Sequence, residues 1–241
     1  MSATIPTRTQ TERAEQARAR ILDAAVREFS ENGLAGARTE QIADAAGVNK
    51  ALLYYYFKGK DALYAAALES VAQRVVASSL AAMTSDRSAG EQVVHFALNH
   101  FDRIHSQRTF QKMMQQEMMR LHRGEENALT PIVEKVFKPM MKRLGDLLTE
   151  GRRSGELIDA DEGQIMYSAL GANIFYFMSS SVMRIMTGRN PLERSAMEQR
   201  RKAAMEYLGL AIFTDRKHGA EVAARVLAAK PMPESDEFKI F

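Results

Sequence analysis

The sequence predicts an all-α protein in which an N-terminal helix-turn-helix, part of a three-helix head, is joined to a C-terminal helical bundle. Three observations predict this architecture. Apolar residues recur at helical spacing through nearly every segment, and the alternation typical of strands is scarce. Near the N-terminus, two short helical segments are separated by a turn of about three residues around Gly47. We place the domain boundary at residue 60, so that the two domains comprise residues 1–60 and 61–241.

The composition of the 241 residues excludes several classes of function. The absence of cysteine excludes disulfides, thiolate catalysis and cysteine-based zinc sites, and a formal net charge of +3 is too small to establish a nucleic-acid partner by itself. The polar N-terminus lacks the apolar stretch of a signal peptide, so we expect a cytoplasmic protein. Residues 163–183 carry no charge and approach the length of a membrane span. Their serines and Asn173 favour a helix buried in a bundle or dimer, so we expect no membrane contact.

The helices of the head are predicted from local start and stop signals. Asn32 and Gly33 end the first helix, Thr39 is assigned as the N-cap of the second, and Asn49 as the N-cap of the third. Apolar residues around the turn can form a shared core: Ile42, Ala46, Val48, Leu53 and Phe57. The predicted helices of this region cover residues 14–32, 40–46, 50–57 and 61–83.

The second helix of a helix-turn-helix is the one that enters the major groove of DNA, N-terminal end first. Its outward residues in this sequence are predicted to be Lys50, Ala51, Tyr54 and Tyr55. A lysine can donate to the O6 and N7 atoms of guanine, an alanine can touch a thymine methyl group, and a tyrosine can reach a phosphate or a base edge. The alternative for Tyr55 is a packing role at the surface. The spacing therefore predicts a unit that reads DNA.

Three successive segments in this region resemble the tetracycline-repressor (TetR) family. They are Thr39-Glu-Gln-Ile-Ala-Asp-Ala-Ala-Gly-Val48, Asn49-Lys-Ala-Leu-Leu-Tyr-Tyr-Tyr-Phe57 and Lys58-Gly-Lys-Asp-Ala-Leu63, and the resemblance covers residues 15–65. It implies that the partner is double-stranded operator DNA. It implies base contacts from Lys50, Ala51 and Tyr54, and phosphate contacts from Thr39, Tyr56 and Lys60, with Arg38 nearby. Leu52 stands where many members have a threonine, so a hydroxyl that could meet a phosphate is missing.

The rest of the chain carries no comparably specific motif. Its predicted helices cover residues 91–106, 108–122, 131–152, 161–187 and 192–213, followed by one short helix, and Pro139 is expected to kink the third of these. The resemblance implies a ligand cavity in this bundle and a homodimer held by the last two long helices. Small residues on those helices allow close approach of a second copy: Ala169, Ala172, Ala203, Ala204, Gly209 and Ala211.

The effector is expected to be a partly apolar small molecule, because ligand pockets combine apolar walls with a few polar groups. The candidate contacts are Phe101, Met118, Phe137, Met141, Tyr167, Asn173 and Phe177. The alternative for each aromatic residue and methionine is an ordinary place in the core. A buried Asn173 requires a hydrogen-bond partner, which is the effector, another helix or a second subunit.

No cofactor, metal or catalytic signature is recognised in the sequence. His95, His100 and His105 follow at steps of five residues and cannot share one helix face. No nucleophile elbow, phosphate-binding glycine loop or HExxH motif is present. The sequence therefore does not predict an enzyme. Together with the resemblance, it predicts a repressor that an effector releases from its operator by moving the helix over residues 59–83. The alternatives are an activator, a ligand-independent dimer that acts through a protein partner, and a helical enzyme with an unrecognised site.

Overall fold

The computed structural model describes residues 8–84 and 86–234, with side chains described from Glu12 onward. The architecture is all-α, as predicted, and this part of the chain contains no strand beyond an isolated antiparallel bridge between Leu157 and Phe213. The helices are α1 (Arg8–Gly36), α2 (Thr39–Ala46), α3 (Lys50–Tyr56), α4 (Lys60–Ala82), α5 (Ala89–Ser106), α6 (Arg108–His122), α7 (Leu129–Ile132), α8 (Lys138–Arg153), α9 (Glu162–Met178), α10 (Ser180–Thr187), α11 (Arg194–Ile212) and α12 (Arg216–Ala229).

The stop signal predicted for the first helix is confirmed. The backbone of α1 leaves the helical conformation at Gly33, where φ is 66° and ψ is 177°. A positive φ of this size is readily adopted only by glycine, which explains why the break falls at this residue. One more helical turn follows the break before α2 begins.

The predicted N-cap of α2 is wrong by one residue. Arg38 occupies the cap position, with an extended backbone at φ −117° and ψ 122° and no side-chain hydrogen bond to the helix. Thr39 is the first helical residue and is buried. Its Oγ1 lies 3.3 Å from the hydroxyl of Tyr54, so a contact with α3 replaces the expected cap.

The described chain forms two compact units. The first, called here the head unit, contains the chain up to Arg74 together with Thr109–Lys135. The second, the bundle unit, contains Val75–Arg108 and the chain from Val136. The head unit is therefore larger than the predicted domain over residues 1–60, and the functional boundary at residue 60 stays a prediction.

The core of the helix-turn-helix forms largely as its spacing predicts. Ile42, Ala46, Leu53 and Phe57 are buried, and Val48 is half-buried. Helix α1 packs against α2, and the apolar faces of α2 and α3 are thereby turned inward. The opposite face of α3 is left to solvent.

Helix α5 lies at the centre of the bundle unit, with α8, α9, α11 and α12 packed against it. A buried ion pair ties three of these helices together. Arg201 of α11 donates from Nε and Nη2 to the two carboxylate oxygens of Asp102 on α5, at 2.7 and 3.0 Å. The same Nη2 donates to the carbonyl oxygen of Lys230, directly after α12, at 2.8 Å.

Gly209 lies at a close crossing of α11 and α12 in one chain. A Cβ added to Gly209 would lie 2.4 Å from the carbonyl oxygen of Gly219, and a Cβ added to Gly219 would lie 2.1 Å from that of Gly209. No side chain fits at either position without moving backbone. The small size of Gly209 therefore serves packing within the chain, and its predicted place at the seam between two copies is wrong.

Two of the long predicted helices are interrupted. Residues 131–152 form part of α7, a π-helical turn over Val133–Phe137, and α8, so the disturbance expected from Pro139 is confirmed in the first turn of α8. Residues 161–187 form α9 and α10, which are separated at Ser179. Across the two described ranges, no helix is long and apolar enough to cross a bilayer.

Candidate nucleic-acid interface and effector region

The turn between α2 and α3 fixes where α3 begins. Gly47 adopts a left-handed φ of 65°, and its N–H donates back to the end of α2. Asn49 then caps α3, because its Oδ1 accepts from the backbone N–H of Leu52 at 2.7 Å. The predicted cap is confirmed, and Lys50 is the first residue of α3.

One side of α3 faces solvent. Lys50, Ala51, Tyr54 and Tyr55 are exposed, whereas Leu53 is fully buried. The three residues predicted to contact bases are thus presented together on the first two turns of one short helix. Tyr55 is 80% exposed and Tyr54 is 41% exposed.

Lys50 forms an ion pair with Glu40 of α2, and both side chains are exposed. The hydrogen bond between them lowers the pKa of Glu40 and raises the pKa of Lys50. Lys50 Nζ also lies 5.8 Å from the centre of the Tyr54 ring. Sequence reasoning missed Glu40, because the two charges meet only through the angle that the turn sets between α2 and α3.

Two residues predicted to lie near phosphates are attached to the ends of α1 and α2. Lys60 Nζ donates to the carbonyl oxygen of Ala35 at 2.9 Å, in the last turn of α1. The backbone N–H of Arg38 donates to Glu28 Oε1 at 3.0 Å. A lysine bound to a helix C-terminus also neutralises the negative end of the helix dipole.

The other two predicted phosphate ligands belong to a group of hydroxyl-bearing residues around α3. The hydroxyls of Thr39 and Tyr54 are in contact, as described above. Tyr56 is half-buried, and its ring meets that of Tyr55 edge to face with centroids 5.4 Å apart. Phosphate contact by any of these residues stays a prediction.

Helices α5 and α9 bring together part of the predicted effector site. The ring of Phe101, which is fully buried, lies 5.3 Å from that of Phe177. Asn173, one turn before Phe177, is also buried. Its Nδ2 lies 3.5 Å from Nδ1 of His100. The hydrogen-bond partner that a buried Asn173 requires is therefore another helix of the same chain.

The remaining predicted effector residues lie elsewhere. Phe137 and Met141 are half-buried against the main apolar core of the bundle unit. Tyr167 is 78% exposed on α9, and Met118 is 57% exposed on α6 in the head unit. The structure does not bring these last two into the α5–α9 interior, and effector contact by all four stays a prediction.

Two family models match the chain. The model described as bacterial regulatory proteins of the tetR family matches residues 21–67, and the model described as the tetracyclin repressor-like C-terminal domain matches residues 90–208. The chain belongs to the tetR family. The resemblance of residues 15–65 is thereby confirmed and extends through the bundle.

Two TetR-family relatives match the chain over short segments. A segment of 55 residues is 49% identical to the HTH-type transcriptional repressor SCO4008 of Streptomyces coelicolor and covers 23% of this chain and 29% of that repressor. A segment of 51 residues is 53% identical to the HTH-type transcriptional regulator RutR of Escherichia coli and covers 21% of this chain and 24% of RutR. The chain matches less than a third of the length of these relatives.

Solved structures of transcriptional regulators share the fold over most of the chain. A transcriptional regulator from Saccharomonospora viridis, solved in complex with choline, superposes with a TM-score of 0.65 at 16% identity. The superposition covers 83% of this chain and 98% of that one. At this identity the likeness shows the fold alone.

Proposed function

We propose that this TetR-family protein represses transcription by binding double-stranded operator DNA as a homodimer, and that a small molecule bound in its bundle unit releases it. The main observation that supports this proposal is the exposed face of α3. A helix capped by Asn49 presents Lys50, Ala51 and Tyr54 at its N-terminal end, where a groove-entering helix makes its base contacts. The protein acts by binding, not by catalysis, and works in the cytoplasm, where its DNA lies.

The ion pair between Glu40 and Lys50 supports a reading role for Lys50. In the DNA-free protein the carboxylate holds the ammonium group beside the start of α3. The O6 and N7 atoms of a guanine can replace that carboxylate as hydrogen-bond acceptors for Lys50. An arbitrary DNA sequence offers Lys50 fewer suitable acceptors in place of Glu40. Glu40 also repels the phosphate backbone, so the pair weakens non-specific binding more than specific binding.

The surface of α9, α10 and α11 supports a homodimer. Large apolar side chains are exposed on these three helices: Tyr167, Ile174, Phe175, Met178, Val182, Ile185, Met186, Tyr207 and Leu210. A groove of about 370 Å³ between α5, α9 and α11 has small residues in its wall, including Ala169, Ala172 and Ala204. Exposed apolar surface of this kind marks an interaction site. A second copy is the occupant that a two-half-site operator requires.

The α5–α9 interior supports an effector site, since it combines the Phe101–Phe177 ring contact with the buried amide of Asn173. The regulator from Saccharomonospora viridis, which has the same fold, was solved with choline bound. Effector binding would release the protein from DNA by moving α4, whose first residues follow the helix-turn-helix. A coupling of ~1–3 kcal/mol changes operator affinity about 5- to 150-fold.

Selection of random DNA duplexes by the full-length protein tests this function. We expect enrichment of a two-fold symmetric sequence whose half-site centres lie about 34–36 Å apart, or a multiple of that distance. The variant Ala51→Glu, which adds a carboxylate to the exposed face of α3, should enrich nothing, whereas Ala81→Glu on the exposed side of α4 should behave as the wild type. Absence of any enriched sequence with the wild type contradicts the proposal.

A further inference from the structure

Arg103 of α5 is a half-buried cation that forms no ion pair among the described residues. Its Nε and Nη1 atoms are shielded from water, and no acceptor among the described residues lies within hydrogen-bond distance of either. Burial lowers the pKa of this guanidinium to about 10. An arginine in this state is unfavourable for the fold, because both the lost hydration and the donors are left uncompensated.

The carboxylate next to Arg103 in the sequence does not compensate it. Asp102 lies on another side of α5, since successive residues of a helix are about 100° apart. Both of its oxygens accept from Arg201, and Lys230 Nζ lies 3.6 Å from one of them. Helix α5 therefore carries two neighbouring charges in different states. Asp102 is fully paired, whereas Nε and Nη1 of Arg103 are buried with no acceptor among the described residues.

The side chains one turn before Arg103 on α5 are polar but uncharged. Burial, and secondarily the charge of Arg103, lower the pKa of His100 to about 3, so this imidazole is neutral. With Asn173 donating to Nδ1, its proton is on Nε2. Asn99 donates from Nδ2 to Ser78 Oγ at 3.0 Å, and its Oδ1 is buried without a partner.

We propose that Arg103 binds the negatively charged group of the effector, and that the effector is an amphipathic anion with a carboxylate or phosphate. This inference rests on the proposed function, because it assigns the chemistry of the effector that the bundle unit would bind. The planar guanidinium fork matches both kinds of group with two parallel hydrogen bonds. Nε2 of His100 supplies a neutral donor on the same side of α5.

The apolar part of the effector has a surface beside these groups. Phe177 follows Asn173 by one turn of α9, is half-buried, and packs against the ring of Phe101. His100 likewise keeps part of its surface accessible, even though burial is the main cause of its lowered pKa. A cationic ligand is disfavoured here, since Arg103 would repel it.

Asn99 offers the strongest alternative within the chain. Its unpartnered Oδ1 is one turn from Arg103, and a rotation of the arginine side chain could bring a donor to it. A neutral amide satisfies a hydrogen bond but does not neutralise a buried charge. If Asn99 were the partner that Arg103 requires, removal of the charge would destabilise the protein. If Arg103 has no partner within the chain, removal of the charge would stabilise it. The two hypotheses therefore predict opposite changes in stability.

The first test measures thermal unfolding of the ligand-free, full-length protein. We expect Arg103→Met to raise the unfolding midpoint, because it removes an unpaired charge and keeps the apolar volume. Arg201→Met is the matched control on the paired arginine, and it should lower the midpoint because it leaves Asp102 without its main partner. A midpoint that falls for Arg103→Met, or failure of that variant to fold, shows an internal partner and overturns the proposal.

The second test measures binding with probes of matched shape. Decanoate and 2-naphthoate are compared with decanol and 2-naphthol, by thermal shift and calorimetry at neutral pH and below micelle-forming concentrations. We expect at least one carboxylate to bind about tenfold or more tightly than its neutral counterpart, and Arg103→Met to abolish this preference. Arg103→Lys, which keeps the charge but loses the fork, should retain part of it. Equal binding of acid and alcohol, or a preference that survives Arg103→Met, overturns the proposal.

These tests are separate from the test of DNA binding. Both are made without DNA, so an anion site is detected even if no operator is selected. Conversely, a protein that selects an operator but shows no carboxylate preference retains the proposed function and loses this inference.

Discussion

Glu40 and Lys50 form an ion pair that joins the first turn of α2 to the first turn of α3. Lys50 is the residue assigned to a base edge, and the carboxylate beside it carries the charge that DNA repels. The cap at Asn49 holds Lys50 at the helix start, and Glu40 restricts where its ammonium group can go. Reading a base therefore requires Lys50 to exchange one acceptor for another.

The substitution Glu40→Gln is expected to strengthen binding to arbitrary sequences more than binding to the selected operator. It removes a negative charge from the DNA-facing side and frees Lys50 for phosphates. Fluorescence anisotropy with a scrambled duplex at several salt concentrations should show tighter binding and a log–log salt slope steeper by up to about 1. Asp146→Asn, which breaks an exposed pair with Lys142 in the bundle unit, is the control and should change neither quantity. An unaltered ratio of operator to scrambled affinity would refute the role given to Glu40.

Lys60→Ala is expected to weaken all duplexes alike. A phosphate contact carries no sequence information, so the loss should appear as a salt slope shallower by about 1 with an unchanged sequence preference. Lys58→Ala serves as the neighbouring control, since its side chain is exposed and no phosphate contact is assigned to it. Equal effects from the two substitutions would show that Lys60 has no special place on the backbone.

The homodimer is expected to depend on the apolar surface of α9 and α10. Light scattering of the wild type should give twice the protomer mass of 27.0 kDa. Phe175→Asp and Ile185→Asp should give folded monomers, because the two side chains are 63% and 85% exposed in the single chain and contribute little to its core. Gly209→Arg should instead unfold or aggregate the protein, since it separates α11 from α12. A wild type that is monomeric, or aspartate variants that remain dimeric, would place the interface elsewhere.

The stability of the protein is expected to fall on acidification through the ordinary pKa of histidine, in part because of His100. Burial and the charge of Arg103 lower its pKa to about 3 in the folded chain, whereas in the unfolded chain it is about 6.5. Between these values the unfolded chain binds a proton that the folded chain does not, so unfolding becomes easier as the pH decreases below about 6.5, by at most about 1.4 kcal/mol per pH unit for this group.

Urea unfolding of His100→Gln between pH 7 and pH 4.5 measures that contribution. The variant should lose less stability over this range than the wild type, whereas His122→Gln, at an exposed position of α6, should follow the wild-type profile. Parallel pH profiles for His100→Gln and the wild type would mean that the imidazole is not kept neutral by the fold.

Local signals in the sequence were sufficient for α3 and its surroundings. Asn49 as a cap, Gly47 as the turn and the buried positions of α3 depend on residues within one or two helical turns of each other, where spacing alone determines contact. The role of Thr39 could not be predicted from local spacing in this way. Its hydroxyl meets Tyr54 across the turn, and this contact depends on how two helices pack.

The features that sequence reasoning missed depend on how the helices pack in three dimensions. A glycine such as Gly209 permits close approach whether the neighbour is α12 of the same chain or a second copy, so its spacing could not distinguish the two. Arg103 is one of many charges on amphipathic helices. Only the packing shows that its Nε and Nη1 are buried with no acceptor among the described residues, while the neighbouring Asp102 is paired. The sequence pattern therefore does not show which charged side chains are buried or paired, whereas the three-dimensional structure does.

Comparison of the DNA sequences selected by the wild type and by Lys50→Ala tests the central claim most directly. If Lys50 reads a base edge from the first position of α3, the variant should lose preference at one symmetric pair of operator positions and bind the best site about 1–3 kcal/mol more weakly per contact. Its preferences elsewhere in the site should remain. Identical sequence profiles from the two proteins, with every affinity lowered alike, would show that Lys50 holds a phosphate and would contradict the account of how this helix reads DNA.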